Sequence, residues 1–231
     1  MKKKLLGLCA FIILGLVSNS QTVETIFKQA IDNALNKKFT IEKIKDIAID
    51  GVGTAMGQEL QLSIKYILPG NFSQKVSVGG QLMMEQHKID EDFKMMQRGQ
   101  DAPITDELKN AIKEQANFMP EIYYLQNLKD YTLVGKETMD GKEVYNIKYS
   151  GSDEKKHINI YYTTSPVQRV KMVVTTDQGA ITLTFSDYKE FPDGLVYYSK
   201  MNQDFNGQFS IDFEIKKVKV NSGLTNDALK N

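Results

Sequence analysis

Histidines and clustered acids are the residues of this chain whose types could support catalysis or metal binding. The 231 residues include two histidines, His87 and His157, and acidic runs at residues 90–92 and 153–154. A zinc or hydrolytic centre needs histidine beside clustered Asp, Glu or Cys, and a calcium loop needs oxygen ligands at alternating spacing. Both histidines fall at polar positions of predicted strands, and both acidic runs fall at predicted turns. We therefore expect solvated surface roles, with no metal site, no cofactor and no catalytic residue.

Methionine and tyrosine are the other side chains with a possible chemical use. Met83, Met84, Met95 and Met96 lie in two neighbouring predicted strands. Methionine is flexible and polarisable, so it suits either gaps in a core or contact with an irregular apolar ligand, and both interpretations stay open. Tyrosine pairs such as 197–198 are ordinary strand aromatics or rings that orient a ligand carbonyl. Strand alternation predicts that one member of each strand pair faces inward.

Residues 1–20 have the pattern of an export signal. Lysines at residues 2–4 precede an apolar run of 13 residues at 5–17, and small side chains follow at residues 18–20. We expect cleavage after Ser20 and a periplasmic location for the exported chain. A membrane-spanning helix needs about 20 apolar residues, so stable membrane insertion is not expected.

Composition narrows the classes of function further. Without the three signal lysines, 26 of the 29 basic residues remain against 29 acidic ones, which gives a net charge of −3. A basic surface for nucleic acid is therefore not expected. The one cysteine, Cys9, lies in the signal, so the exported chain has no thiol chemistry. Residues 21–231 suit one domain, which we expect to be a monomer.

Helical and strand periodicities divide the chain into clear elements. Apolar spacing predicts an amphipathic helix at 23–35 with Thr22 as its N-cap, then a short helix after Thr40. The period changes to two from residue 46, which predicts five strands before residue 100. A helix capped by Thr105 runs for about three turns, and another short helix is predicted within 120–128.

The rest of the chain is predicted to be strand. Asp140-Gly141 and Asn206-Gly207 are strong hairpin signals, a longer turn is expected over residues 186–194, and the tail from residue 222 is expected to fray. An antiparallel sheet of about 11–12 strands cannot keep both faces wet, so it should curl around helices, a ligand or both. The predicted strands lie near residues 131–138, 142–150, 155–163, 167–176, 180–187, 194–204 and 208–220.

Several strand and turn motifs together resemble the LolA/LolB-like superfamily, and more narrowly its outer membrane lipoprotein-sorting protein relatives. The resemblance covers the whole exported chain and is strongest over residues 131–221. It implies an α+β fold, with a strongly curved antiparallel β half-barrel and helices covering the concave face. The motifs are Asp-Gly-Lys-Glu-Val-Tyr at 140–145, Ile-Tyr-Tyr at 160–162, Val-Lys at 170–171, Phe-Ser-Asp-Tyr-Lys-Glu at 185–190, Asp-Gly-Leu at 193–195 and Ile-Lys-Lys-Val-Lys-Val-Asn at 215–221.

This resemblance implies a non-catalytic periplasmic protein that binds or sorts lipids or lipoproteins and holds an acyl chain in an apolar cavity. Such a protein would act in transport and outer membrane biogenesis, with an acyl chain or a lipidated protein as partner and envelope proteins as further contacts. The alternative is a cell-envelope interaction or accessory module without a lipid ligand. The residues predicted to line the cavity are Leu62, Ile64, Tyr66, Val76, Met84, Phe93, Met95, Ile112 and Met119.

Overall fold

The computed structural model describes residues 21–151, 157–177 and 179–230. The predicted export signal at residues 1–20 and the acidic run at 153–154 lie outside these residues. Two short 3₁₀ helices, Ile41–Lys43 and Leu128–Asp130, accompany the longer elements. The α-helices are α1 (Val23–Leu35), α2 (Asp106–Gln115), α3 (Pro120–Gln126) and α4 (Asn226–Lys230).

Strands make up most of the described chain. The first six precede α2 and are β1 (Asp46–Ala55), β2 (Gln58–Ile67), β3 (Asn71–Val78), β4 (Gln81–Ile89), β5 (Asp92–Gln97) and β6 (Gln100–Asp101). The other seven follow α3 and are β7 (Tyr131–Met139), β8 (Lys142–Tyr149), β9 (His157–Thr163), β10 (Arg169–Thr176), β11 (Gly179–Glu190), β12 (Val196–Phe205) and β13 (Phe209–Val220).

These thirteen strands form one antiparallel sheet in the order β6-β5-β4-β3-β2-β1-β13-β12-β11-β10-β9-β8-β7. Each half is a meander in which consecutive strands pair, and the halves meet where β1 pairs with β13. The sheet does not close into a barrel, because β6 and β7 remain at its two edges. Such an open, many-stranded sheet fits a curved half-barrel.

Local sequence signals set most of the connections, as expected. The hairpin turns at Asp140-Gly141 and Asn206-Gly207 have positive φ at both residues, which type I′ turns require. The hydroxyl of Thr22 accepts a hydrogen bond from the Thr25 amide at the start of α1, and Thr105 caps α2 through the Leu108 amide. The side chain of Thr40 makes no capping hydrogen bond.

The turn predicted over residues 186–194 is wrong in its first half. Strand β11 continues to Glu190, and Tyr188 pairs with Tyr198 on β12. Asp187 has a φ of 52°, so the strand kinks there without ending. The kink breaks the alternation, and both Phe185 and Tyr188 face the core. The short strand β6 is also additional to the predicted elements.

Helices α1, α2 and α3 pack against one face of the sheet, called here the helix-facing side. Ile112 of α2 and the following Phe118 are buried in one apolar cluster with β1, β2 and β13. Ile26 and Phe27 of α1 are buried in a second cluster with β7, β8 and β9. The core of the protein therefore lies between this face and the three helices.

The C-terminal tail is ordered, which corrects the expected fraying. Leu229 of α4 is fully buried. The Lys65 ammonium group donates a hydrogen bond of 2.6 Å to the Ala228 carbonyl, and Lys75 donates one of 3.2 Å to Lys230. Lys65 and Lys75 project from the opposite side of the sheet to the first three helices, so α4 covers that side near β2–β4.

His87 is buried at 5% exposure, so its predicted surface role is wrong. Its register places it opposite Ser73 and thus beside Lys65, on the side that α4 covers. His157 is exposed, as predicted. Residues 90–92 are exposed at the β4–β5 turn, also as predicted. Within the described ranges, no three His, Cys, Asp or Glu side chains form a group suited to a metal ion.

Candidate ligand-binding face

The helix-facing side of the sheet is apolar across both halves. Directly paired residues of antiparallel strands share a face, so each row of partners can be followed from strand to strand. One row crosses six strands, from β11 through β12, β13, β1 and β2 to β3. Its members are Phe185, Met201, Phe213, Gly53, Leu60 and Val78.

The nine residues predicted to line a cavity all belong to this side. Leu62, Tyr66, Ile112 and Met119 are buried in the larger apolar cluster. The half-buried residues packed against that cluster include Ile64, Val76 and Phe93. Met84 shares the face because it pairs with Val76, and Met95 pairs with Gln86, whose amide donates to Gln115 of α2. Contact of these nine residues with a ligand stays a prediction.

A cavity of about 40 Å³ lies between α1, the start of α3, β11 and β12. One water molecule needs at least about 10–15 Å³ of such space, so the cavity holds about three water molecules. An acyl chain of useful length therefore does not fit while the helices stay in this position. Six of the lining residues are Ala30, Ala34, Met119, Glu121, Arg169 and Tyr198.

A charged pair forms part of the cavity wall. The side chains of Arg169 and Glu121 are only 12% and 9% exposed, and Nη1 of the arginine lies 3.9 Å from Oε1 of the glutamate. Tyr162 donates a hydrogen bond of 2.8 Å to the same carboxylate oxygen. Burial by itself would lower the pKa of Arg169, but Glu121 and the surrounding tyrosines raise that pKa well above its usual value. Arg169 is therefore charged.

The guanidinium group of Arg169 is not fully satisfied. Its central carbon lies 4.5 Å from the ring centroid of Phe185, within cation–π range. Its Nε is shielded from solvent and has no hydrogen-bond partner in the described part of the protein. A buried donor of this kind normally has an acceptor, so the site carries an unused hydrogen-bonding position.

Tyrosine hydroxyls surround the same cavity. Tyr188 donates a hydrogen bond of 2.6 Å to the Arg169 carbonyl. Tyr197 and Tyr198 stack at 4.2 Å between ring centroids, and their hydroxyls are 3.1 Å apart. Burial raises the pKa of Tyr188, Tyr197 and Tyr198 above the ordinary value. These hydroxyls stay protonated and can donate hydrogen bonds.

The expectation that Tyr197 and Tyr198 point to opposite faces is wrong, since both pack in the larger cluster. Arg169 was not among the predicted site residues. The β9–β10 register shifts between Arg169 and Lys171, and this bulge turns the arginine inward beside Met172. A bulge leaves no clear mark in the sequence, and simple alternation would have assigned Arg169 to the outer face.

An apolar strip continues from the cavity to the solvent. Its residues are on the helix-facing side of β11–β13 but are only partly covered. Phe205 and Phe209 stack at 4.4 Å between ring centroids, and Phe209 is 37% exposed. Phe185, which lies 4.9 Å from Tyr198 between ring centroids and pairs with Met201, joins the strip to the cavity. The strip comprises Ile181, Leu183, Met201, Phe205, Phe209 and Ile211, and the polar Gln203 lies between Leu183 and Ile211 on the same face.

No family model matches this sequence, and no curated protein matches it. Solved structures do. An outer membrane lipoprotein-sorting protein domain from Vibrio parahaemolyticus superposes with a TM-score of 0.58 at 13% identity, covering 88% of this chain and 97% of that one. A DUF1329 family protein from Desulfovibrio piger gives 0.61 at 12% identity, covering 91% and 98%. The chain has a LolA-like fold.

The LolA-like fold of this chain places the cavity and the apolar strip on one side of a single open sheet. At 12–13% identity these superpositions establish the fold alone. The function therefore has to be inferred from the residues of the helix-facing side. Among the described residues, no helix combines the length and the apolarity that crossing a membrane requires.

Proposed function

We propose that this protein is a non-catalytic periplasmic carrier or binding protein that holds an acyl chain between its curved sheet and the helices over the concave face. The observation that carries the proposal is the continuity of the apolar strip with the cavity around Arg169. Contiguous apolar surfaces that stay partly exposed are typical of ligand-binding grooves and protein interaction sites. The solved Vibrio domain, described as lipoprotein-sorting, supports the same class of ligand.

Ligand entry requires movement of the helices, because the cavity is too small at about 40 Å³. Helix α2 and the loop that leads from it to Met119 pack over the sheet beside Tyr66. When they move away while α3 keeps Glu121 beside Arg169, Ile112 and Met119 on the moving part and Tyr66 on the sheet become available to an acyl chain. Each buried methylene contributes about 0.8 kcal/mol, so about ten contribute roughly 8 kcal/mol before the costs of association and of moving the helices.

The strip provides a direct test with a matched control. Phe209→Asp and Leu183→Asp each put a charge on the strip, while Val134→Asp changes an exposed apolar residue of β7, 58% exposed, outside the strip. A neutral fluorescent acyl probe should bind the protein spanning residues 21–231, and each strip variant should weaken binding at least about tenfold. The β7 variant should bind like the parent protein.

Co-purified lipid gives an independent measure. Mass spectrometry of gently purified protein should detect acyl compounds, with less in the strip variants than in the Val134→Asp control. Folded protein that carries no co-purified acyl compound and does not bind the acyl probe would contradict the acyl-carrier function.

A second candidate function is an envelope interaction module that binds a protein partner. The small cavity favours it, as does β7 (Tyr131–Met139), which pairs with β8 on one side and has no neighbouring strand of the described sheet on the other. Edge strands can add a partner strand, although Lys136 and the bulge near Gly135 weaken this edge as a template. If Val134→Lys removes cross-linking to an envelope protein while acyl binding is absent, this function is the better one.

A further inference from the structure

Arg169 and Glu121 form a buried pair in the cavity where the apolar strip ends inside the protein. We propose that this pair selects the polar group of the ligand: Nε of Arg169 donates to a neutral ester or amide carbonyl, and Glu121 disfavours a free carboxylate. The inference rests on the proposed acyl-binding function. The polar end of the ligand then lies inside the protein, and neutral acyl esters and amides are preferred to free fatty acids.

Arg169 has a buried N–H donor that no described residue uses. Nε of Arg169 is buried and lacks an acceptor among the described residues, although Arg169 lines the cavity. A guanidinium group has five N–H donors and accepts nothing, so a ligand must offer an oxygen acceptor to satisfy it. An acyl chain with a carbonyl at one end offers that acceptor, whereas a pure hydrocarbon does not.

The charge of the site favours a neutral acceptor. Glu121 already balances Arg169, with 3.9 Å between Nη1 and Oε1 and both side chains nearly buried. A ligand carboxylate bound to Nε would be a second anion beside one buried cation. The extra anion has no countercharge, and an unpaired buried charge is strongly unfavourable. A neutral carbonyl accepts the same hydrogen bond without adding charge.

An apolar path for the acyl tail begins beside Arg169. The Phe185 ring lies within cation–π distance of the Arg169 guanidinium, contacts Tyr198 and pairs with Met201 of the apolar strip. A chain whose carbonyl lies at Arg169 can therefore run over Phe185 and along the strip toward Phe209. The polar end lies inside and the tail leads to the open end of the face.

Competition against the neutral acyl probe at pH 8 tests this selection. The competitors are monolauroyl glycerol, a neutral ester, and laurate, which carries the same chain but is ionised. The parent protein should bind the ester at least about tenfold more tightly than laurate. Glu121→Gln removes the competing anion, so the ratio should fall by about tenfold or reverse in favour of laurate.

Two further variants complete the design. Glu114→Gln is the matched control, because Glu114 accepts a hydrogen bond of 2.9 Å from Tyr124 but is not among the residues that line the cavity. It should leave the ester-to-laurate ratio unchanged. Arg169→Met keeps most of the apolar stem and should weaken binding of the ester about tenfold while probe binding persists. Circular dichroism confirms that each variant is folded.

The outcomes separate the two proposals. Equal or tighter binding of laurate by the parent protein overturns the selection, and so does an unchanged ratio in Glu121→Gln, while probe binding leaves the acyl-carrier function standing. Failure of the probe and of both lauroyl compounds to bind folded protein overturns both.

Discussion

Gly53 lies on β1 where the ring of Phe213 packs directly against the backbone. A Cβ atom at Gly53 would lie 2.7 Å from Cδ1 of Phe213 and 2.9 Å from the Asp212 carbonyl oxygen. Real Cβ atoms do not approach other atoms so closely, and the oxygen belongs to the neighbouring strand, which cannot yield freely. The absence of a side chain lets the two halves of the sheet meet over a flat aromatic contact.

Gly53→Ala should therefore lower the free energy of unfolding by about 1–3 kcal/mol through overpacking at Phe213. Urea denaturation measures the loss. Thr54→Ala, at the exposed neighbouring position, is the control and should change stability by less than about 0.5 kcal/mol. The double variant Gly53→Ala with Phe213→Leu should lose less than the sum of the single losses, since the smaller side chain makes room. Additive losses would contradict the contact as the cause.

Single residues show where sequence reasoning succeeds and where it cannot. Capping by Thr22 and Thr105 was predicted correctly because a cap depends on residues three positions apart. His87 is buried on the side of the sheet that α4 covers, and α4 lies more than 130 positions further along the chain. The inward side chain of Arg169 depends on a shifted register, which only the paired strand β9 reveals.

Helix α4 is the element whose stability comes most clearly from the rest of the fold. It has five residues, far fewer than an isolated helix needs in water. Its buried anchor is Leu229, and lysines from β2 and β3 donate to its carbonyl groups. Upstream, the Asp46 carboxylate accepts hydrogen bonds from Ser222 and Gly223, which fixes the approach of the tail.

Leu229→Ala should reduce the free energy of unfolding by about 2–5 kcal/mol, the range for leucine removed from a core. Hydrogen exchange should also become faster at the amide of His87, because the cover over that part of β4 loosens. Asp227→Ala, an exposed change in the same helix, serves as the control. Unchanged stability after Leu229→Ala would mean that the tail packs without stabilising the domain.

At the scale of elements, local pattern was sufficient for most helices and strands. Type I′ turns and amphipathic spacing are encoded within a few residues, so they survive without tertiary information. The kink at Asp187 was not predicted, because the sequence Asp-Tyr-Lys-Glu-Phe-Pro-Asp-Gly at 187–194 is equally compatible with a long turn. Pairing of Tyr188 with Tyr198 keeps the segment in the sheet.

The protein as a whole buries many of its tyrosine side chains. The chain has 11 tyrosines, and burial raises the pKa of most of them above the ordinary value near 10. The effect is clear at Tyr66, Tyr124, Tyr131, Tyr162, Tyr188, Tyr197 and Tyr198. Well below pH 10 these groups are protonated in both the folded and the unfolded chain, so they add no pH dependence there.

Above about pH 10 the unfolded chain releases phenolic protons that the folded chain keeps. The unfolded state then binds fewer protons, and stability must fall as pH rises. We expect alkaline unfolding in which most tyrosinate absorbance appears together with the loss of β-sheet circular dichroism. Early, gradual ionisation of all tyrosines in a protein that stays folded would contradict the buried network.

The architecture of an open antiparallel sheet with a LolA-like fold was predicted from the sequence, while the size of the cavity was not. Alternation places apolar residues on one face, but it does not tell whether helices or a ligand fill the space above that face. Phe118 and Met119 fill much of it here. The amount of empty space is a property of packing and has no local signal.

The pairing of β1 with β13 has a consequence for how the protein is made. Ile47 pairs with Val220, so the first strand finds one of its two neighbours only near the end of the chain. During synthesis, residues emerge in order from the N-terminus, and the central seam cannot form until nearly all of them have emerged. A nascent chain therefore has an incomplete seam with apolar rows open to water. It should be most vulnerable to proteases and most dependent on chaperones in the interval before its last strand arrives.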